Sequence, residues 1–191
     1  MYSQCQEEKH ILEYFSNRIG TFADIGAYHP TVFSNTRRLV EMGWSGTMWE
    51  PDPNCFPHLE NEYKDNPKII LHQKALITTQ EPKVKWYHSR GDALSSTKEY
   101  NKIKWAKDGV VFDEMEVEAM YVGDVDWTQF NFINIDTEGT SISLLKSINF
   151  DKTDLVCIEF DYVLDEVIAH CRRFGLINFI YSSGENMIME R

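Results

Sequence analysis

The alternation of short apolar runs with helical patterns constrains the fold of this chain most strongly. Apolar runs that end at a turn and precede a helical pattern occupy Thr21–Ile25, 47–49, 130–135 and 155–160, and another strand begins at 68–71. Strands that alternate with helices are joined by crossovers and lie parallel in one sheet. The sequence therefore predicts an α/β fold built on a doubly wound, mostly parallel sheet.

The two ends of the chain depart from this alternation. The N-terminal segment 1–19 contains an amphipathic pattern that predicts a helix over Glu7–Phe15. At the other end, strands are expected at 176–181 and 186–189, with a tight turn between them. Two strands joined by a tight turn pair antiparallel, so the sheet is expected to end in a hairpin.

The middle of the chain has a different pattern. Residues 83–87 and 114–121 alternate polar and apolar side chains, which is typical of half-buried strands. Residues 89–109 between them are polar and rich in turn formers. A connection of this length predicts a lid or binding loop.

Length, charge and cysteine usage limit the class of protein. A chain of 191 residues is long enough for one substantial core, so a single domain over 1–191 is expected. The net charge is 19 − 30 = −11 and the longest basic clusters are pairs, which disfavours a nucleic-acid partner. No apolar stretch approaches the roughly 20 residues that span a bilayer, and the first eight residues resemble no secretory signal, so no membrane association is expected. The four cysteines are widely spaced, which favours reduced thiols in a cytoplasmic protein over a zinc site or disulfides.

The loop after the first strand is a candidate ligand-binding loop. Ligands of doubly wound sheets bind at the carboxyl ends of the strands, where Asp24 and Gly26 stand. Tyr28 and Pro30 occupy positions where a dinucleotide-binding loop has glycines. A ligand without a pyrophosphate, such as S-adenosylmethionine, tolerates this bulkier loop. An ordinary strand-to-helix turn is the alternative interpretation.

Glu50 ends the second strand, 26 positions after Asp24. An acidic side chain at this place can accept hydrogen bonds from both hydroxyls of a ribose. Pro51 and Pro53 restrict the turn that carries it, which disfavours the alternative of a solvated strand-end carboxylate. Asp24 and Glu50 together are compatible with a nicotinamide enzyme as well as with a methyltransferase.

Several short motifs follow one another in a specific order after residue 20. They are Asp24-Ile25-Gly26-Ala27, His29-Pro30, Ser34-Asn35-Thr36, Gly43-Trp44-Ser45-Gly46, Glu50-Pro51-Asp52-Pro53, Ala75-Leu76, Trp86-Tyr87, Ser95-Ser96, the strand and acidic block from Phe132 to Gly139, Ile158-Glu159 and Glu185-Asn186. This order resembles the FkbM-type methyltransferases, a branch of the class I family. The resemblance implies a seven-stranded Rossmann-like methyltransferase sheet with an antiparallel C-terminal hairpin strand, S-adenosylmethionine as cofactor, and methylation mainly of hydroxyl oxygens.

The resemblance also implies a cofactor site at the strand ends. Its residues are Asp24, Gly26, Ala27, Glu50, Pro51, Asp52, Ala75 and Asp136. The first-loop residues would line the methionine end, Glu50 would hold the ribose, and Ala75 would lie near adenine. Many class I enzymes have an acidic residue after the third strand to meet the adenine amine, whereas this chain has Gln73 and Lys74, which leaves adenine recognition open.

The catalytic candidates are Asp136, Glu138 and His29. A hydroxyl acceptor must lose its proton during an in-line methyl transfer, and the two acids follow a buried strand on the expected cofactor side. Adjacent carboxylates raise each other's pKa, which suits a base. The alternatives are that Asp136 only caps the next helix and that His29, beside a proline, is structural.

Hydroxyl and amide side chains supply the substrate candidates: Ser34, Asn35, Thr36, Ser95 and Ser96. Each can equally be a helix cap or a turn residue. A magnesium site from Asp136 and Asp161 is conceivable, but two unconnected carboxylates are favoured, so no metal is predicted. The expected function is O-methylation of a sugar or small metabolite, with an inactive methyltransferase-like binding module and, less favoured, a nicotinamide-dependent oxidoreductase as alternatives. The acceptor and the oligomeric state stay open.

Overall fold

The computed structural model describes residues 1–90, 92–160 and 163–191. Within these residues the helices are α1 Glu7–Phe15, α2 Arg37–Glu41, α3 Phe56–Tyr63, α4 Glu99–Ala106, α5 Ser141–Leu145 and α6 Leu164–Arg173. The strands are β1 Thr21–Ile25, β2 Ser45–Trp49, β3 Ile69–His72, β4 Ala75–Ile77, β5 Lys83–His88, β6 Asp113–Tyr121, β7 Phe132–Ile135, β8 Leu155–Glu159, β9 Asn178–Ser182 and β10 Asn186–Glu190. Short 3₁₀ turns follow β6 at Val122–Asp124 and Trp127–Gln129.

The main sheet has seven strands in the order β3-β2-β1-β7-β8-β10-β9. The first five strands of that order pair parallel, whereas β10 runs antiparallel to both β8 and β9. The predicted doubly wound sheet with an antiparallel C-terminal hairpin is therefore confirmed. Strand order reverses between β1 and β7, and this reversal is where doubly wound sheets bind ligands.

Helices cover both faces of this sheet. Phe15 of α1, Leu39 of α2 and Leu59 of α3 pack on one face. Leu145 of α5 and Val167 of α6 pack on the other. Alternate residues of each parallel strand enter the two layers, so the strands are apolar on both faces and read as continuous apolar runs.

A second sheet, β4-β6-β5, lies after β3. The alternating patterns predicted β5 and β6 as strands; the structure pairs them antiparallel, and β4 adds a three-residue parallel strand that the sequence did not indicate. Ala75, Trp86 and Val117 form its small core.

The segment 89–109, expected to be a loop, contains α4. This helix was not predicted because it has no continuous apolar stripe: its most buried residue is the polar Asn101, at 3% exposure. The lid role of the segment stays a prediction. Among the described residues, no helix combines the length and apolar character needed to cross a membrane.

Candidate functional site

A cavity opens at the carboxyl ends of β1, β2 and β7, with about 840 Å³ of empty space that includes the open solvent at its mouth. The second sheet and the segment after β5 form its far wall. It is lined by Gln4, Ile25, Gly26, Tyr28, Phe33, Trp49, Glu50, Pro51, Asp52, Cys55, Lys74, Ala75, Leu76, Trp86, Asp92, Ala93, Ser95, Thr97, Asp136, Thr137, Glu138 and Thr140. Its mixture of aromatic walls with a few polar groups is typical of a site for a small molecule.

The first loop is packed tightly against the end of β7. Gly26 has a φ of +83°, and a Cβ atom there would lie 1.7 Å from the backbone oxygen of Asp136. The N–H groups of Gly26 and Ala27 donate to the carbonyl of Trp49 at 2.9 and 3.1 Å. Only glycine fits at position 26, where the first loop passes close to the backbone of Asp136. The ends of β1, β2 and β7 come together at this place.

Glu50 is 5% exposed and lies in the cavity wall. Its carboxylate accepts hydrogen bonds from the backbone N–H of Tyr28 at 2.7 Å and of Asp52 at 2.8 Å. Burial raises the pKa of Glu50 to about 7; these bonds oppose the rise, and repulsion from Asp52 and Asp24 adds to it. The carboxylate is thus held in one position at the end of β2.

Asp52 links the main sheet to the second sheet. The residue is 1% exposed, and its Oδ2 atom lies 2.8 Å from Nδ1 of His88, 2.9 Å from Oγ of Ser95 and 3.4 Å from Nε1 of Trp86. Ser95 thereby occupies the cavity wall as part of a buried network. A buried carboxylate with several donors is typical of a residue that positions the surrounding elements. Whether Ser95 also touches substrate stays a prediction.

Three carboxylates come together beyond the end of β7. Oxygen atoms of Asp136, Glu138 and Glu159 all lie within 4.8 Å of one another. Burial raises the pKa of Asp136 well above its usual range, and the charges of Glu159, Glu138, Asp24 and Glu185 add to the effect. The helix that follows has Thr140 at its N-cap position, so Asp136 does not occupy the cap of α5.

The backbone around Glu138 is held in a turn of unusual conformation. Glu138 has a φ of +47° and Gly139 a φ of +93°. The Glu138 carbonyl accepts hydrogen bonds from the hydroxyl of Ser96, at 2.5 Å, and from the amide of Asn101 in α4. Ser96 is fully buried and is absent from the described cavity lining. Its contacts tie the 89–109 segment to the acidic turn.

Asp24 lies in a buried network behind the cavity wall. Its two oxygens accept from the hydroxyl of Thr36 at 2.6 Å and from the amide of Asn134 at 2.8 Å. Asn35 donates to Asn134 at 3.0 Å, and Ser34 accepts from the N–H of the first residue of α2 at 3.1 Å. None of Asp24, Ser34, Asn35 and Thr36 is among the described lining residues. Their predicted cofactor or substrate contacts are therefore untested.

His29 is anchored inside its own loop. Its Nδ1 atom accepts from the backbone N–H groups of Thr31 and Val32, both at 3.2 Å, and burial lowers its pKa. Ala27, at 6% exposure, packs in the core layer beneath. Neither residue is in the described lining, whereas Pro51 and Ala75 are.

Several lining residues were not among the sequence candidates: Tyr28, Phe33, Trp49, Lys74, Trp86, Asp92, Thr137 and Thr140. The sequence could have identified Trp86, because the alternating pattern of β5 places it on the same face as His88. Asp161, considered for a magnesium site, lies outside the described residues.

A seven-stranded sheet of this order, with an antiparallel last strand and an acidic site at the strand-order reversal, defines the methyltransferase class of doubly wound folds. Residues 24–175 match the family described as the methyltransferase FkbM domain. The chain belongs to this family, as its motif order suggested.

Two solved structures are similar to this chain. A methyltransferase FkbM from Methylobacillus flagellatus KT shares 14% identity with a TM-score of 0.55, over 91% of this chain and 44% of that one. Monomeric WbdD shares 12% identity with a TM-score of 0.56, over 98% of this chain and 41% of that one. These likenesses concern the fold, and the chain spans less than half the length of either relative. None of the curated proteins matches this sequence.

Proposed function

We propose that this chain is an S-adenosylmethionine-dependent methyltransferase that methylates a hydroxyl group of a sugar or small metabolite by in-line displacement. The observation that carries the proposal is the Glu50 carboxylate, which two backbone N–H groups hold in the cavity wall at the end of β2. A carboxylate fixed in this way can accept hydrogen bonds from both hydroxyls of a ribose.

The remaining lining fits the other parts of the cofactor. Trp49, Leu76 and Trp86 supply apolar walls against which a purine ring can pack. The charged lining residues are mostly acidic, with Lys74 as the basic exception in the described lining. An acidic cavity favours a ligand that carries a sulfonium and an ammonium group.

When bound, S-adenosylmethionine supplies a methyl group on a cationic sulfur. The residues of this chain hold the acceptor oxygen in line with the methyl carbon, at about 3–3.5 Å, and accept the proton of the acceptor hydroxyl. Asp136 and Glu138 stand where the cavity meets the end of β7, and we assign both to the acceptor. The acceptor enters as a small molecule or carbohydrate, without nucleic acid or membrane as partner, in a cytoplasmic setting.

Calorimetry with S-adenosylmethionine, S-adenosylhomocysteine and NAD tests the cofactor assignment. Glu50→Gln should weaken S-adenosylhomocysteine binding about 10- to 150-fold, because it removes a charged hydrogen-bond acceptor worth about 1.5–3 kcal/mol. Glu116→Gln is the matched control, since Glu116 is exposed on β6, away from the cavity lining. Equal affinities for all three proteins would refute the ribose assignment.

A screen of hydroxylated compounds with methyl-labelled S-adenosylmethionine tests the reaction. Asp136→Asn should lower turnover of the best acceptor about 10²- to 10⁴-fold without a matching loss of thermal stability. Cofactor binding without transfer to any acceptor would favour the binding module. Tight NAD binding would favour the oxidoreductase.

A further inference from the structure

Another buried oxygen group belongs to the strand residue that pairs with Glu159 of the three-carboxylate cluster. Asn186, the first residue of β10, is 5% exposed, and its Oδ1 atom is buried without a hydrogen-bond partner among the described residues. A buried amide oxygen without a partner is costly and requires an explanation, such as an ion or a water molecule.

The sheet register directs Asn186 toward Glu159. The two residues are direct cross-strand partners of β10 and β8, and the next pair along is hydrogen-bonded, with the N–H of Phe160 donating to the carbonyl of Glu185 at 3.0 Å. Glu159 and Asn186 therefore form a non-hydrogen-bonded pair, in which both side chains leave one face with Cβ atoms about 4.5–5.5 Å apart.

Hydrogen bonds to the hairpin turn also fix the backbone of Asn186. Its backbone N–H donates to the hydroxyl of Ser183 at 3.0 Å, and its carbonyl accepts from the N–H of Ser183 at 2.9 Å. The backbone of Asn186 is thus fixed by both the strand pairing and the hairpin turn, and its side chain leaves the sheet on the same face as that of Glu159.

We infer that Asp136, Glu138, Glu159 and Asn186 form a binding site for a hard divalent cation, Mg²⁺, Mn²⁺ or Ca²⁺. Carboxylate and amide oxygens are the ligands these ions prefer. Carboxylate oxygens within 4.8 Å of one another lie no more than about 2.8 Å from a common centre, against Ca²⁺–O distances of about 2.3–2.6 Å, so a side-chain movement of a few tenths of an ångström lets one ion contact all three carboxylates. This site differs from the sequence expectation of no metal, because Glu159 and Asn186 are brought to Asp136 by the pairing of strands.

The location gives the ion a role. Asp136 and Glu138 line the cavity, so an ion held by them faces the place assigned to the acceptor. Its remaining coordination positions would hold hydroxyl oxygens of the acceptor, which restricts the substrate to molecules that offer such oxygens. This role rests on the proposed methyltransferase function, whereas the site itself does not.

Titration of EDTA-stripped protein with MnCl₂, MgCl₂ or CaCl₂ tests the site, with calorimetry for all three ions and electron paramagnetic resonance for Mn²⁺. We expect one ion per chain for at least one of the three metals. Glu159→Gln should weaken its binding about 10- to 100-fold. Absence of stoichiometric binding at millimolar concentrations of every ion, or equal binding by Glu159→Gln, would overturn the inference.

A charge-adding pair of variants keeps the test informative if Glu159→Gln folds poorly. Asn186→Asp adds a fourth carboxylate, so it should melt at a lower temperature in EDTA and recover more stability than the parent when the metal is added. Asn149→Asp is the control, because Asn149 lies on an exposed turn where its Oδ1 accepts from the N–H of Asp151 and aspartate can do the same. Equal metal-induced shifts in both variants would contradict the assignment of Asn186.

The two proposals fail separately. Binding of S-adenosylhomocysteine in EDTA, with no metal binding, would overturn the cation site and leave the methyltransferase proposal in place. Metal binding without any affinity for S-adenosylmethionine or S-adenosylhomocysteine would do the reverse.

Discussion

Glu50 should make the folded protein less stable as the pH rises. Its pKa is about 7 in the folded chain, whereas an exposed glutamate titrates near 4.5. The folded state therefore binds a proton that the unfolded state has already released between these two values. A group that binds protons more tightly when folded lowers the free energy of unfolding as the pH increases through that window.

The size of the effect follows from the two pKa values. From about pH 5 to about pH 8 the contribution of Glu50 to the free energy of unfolding should fall by about 2.5 kcal/mol. Other carboxyl groups titrate in the same range, so the informative quantity is the difference between the parent and Glu50→Gln. Glu50→Gln also removes one of the two hydrogen bonds that the side chain accepts from backbone N–H groups. The resulting loss of about 1 kcal/mol in the free energy of unfolding does not depend on pH.

Urea unfolding of ligand-free protein at several pH values provides the assay. The parent should lose about 2.5 kcal/mol more than Glu50→Gln over this range, and Glu116→Gln should follow the parent. Parallel stability profiles for the parent and Glu50→Gln would refute the assignment of a raised pKa. If the ionised carboxylate binds ribose hydroxyls, S-adenosylhomocysteine affinity should also increase from about pH 6 to about pH 8.

Four further substitutions test how the site is built, each by thermal and urea unfolding. Gly26→Ala should cost about 3 kcal/mol or more, since its Cβ would collide with the backbone oxygen of Asp136. Gly109→Ala has a similar φ of +88° but no atom within 4 Å of its Cβ, so it should cost about 1–2 kcal/mol; equal losses would show that the close approach is not what requires glycine at position 26. His88→Ala should cost about 1.5–3 kcal/mol because it removes the shortest of the side-chain contacts to the buried Asp52 carboxylate and leaves only Ser95 and Trp86 as donors to its Oδ2 atom. His88→Asn can retain that contact and should recover most of the loss; no difference between the two variants would contradict the importance of the bond.

The sequence alone predicted most strands of the main sheet, their parallel direction and the antiparallel C-terminal hairpin. The apolar runs that became β1, β7 and β8, and the tight turn before β10, are local patterns, because a strand buried on both faces must be apolar throughout. Glu50 at the end of β2 was also predictable, since a residue that follows a parallel strand lies at the ligand-binding edge whatever its long-range contacts. The helix α4 was not predictable in this way, because it is anchored through Asn101 instead of an apolar stripe.

The tertiary structure decided which polar groups meet. Asp24 follows the same strand pattern as the cavity residues, yet its carboxylate lies in a closed network with Thr36 and Asn134. Glu159 and Asn186 stand in motifs of the family resemblance, but the sequence assigned neither to a site; only the antiparallel pairing of β8 with β10 sets them opposite each other, and Glu159 lies next to Asp136. Contacts of this kind join residues far apart in the chain, so they depend on strand order and register, which no local pattern of residues contains.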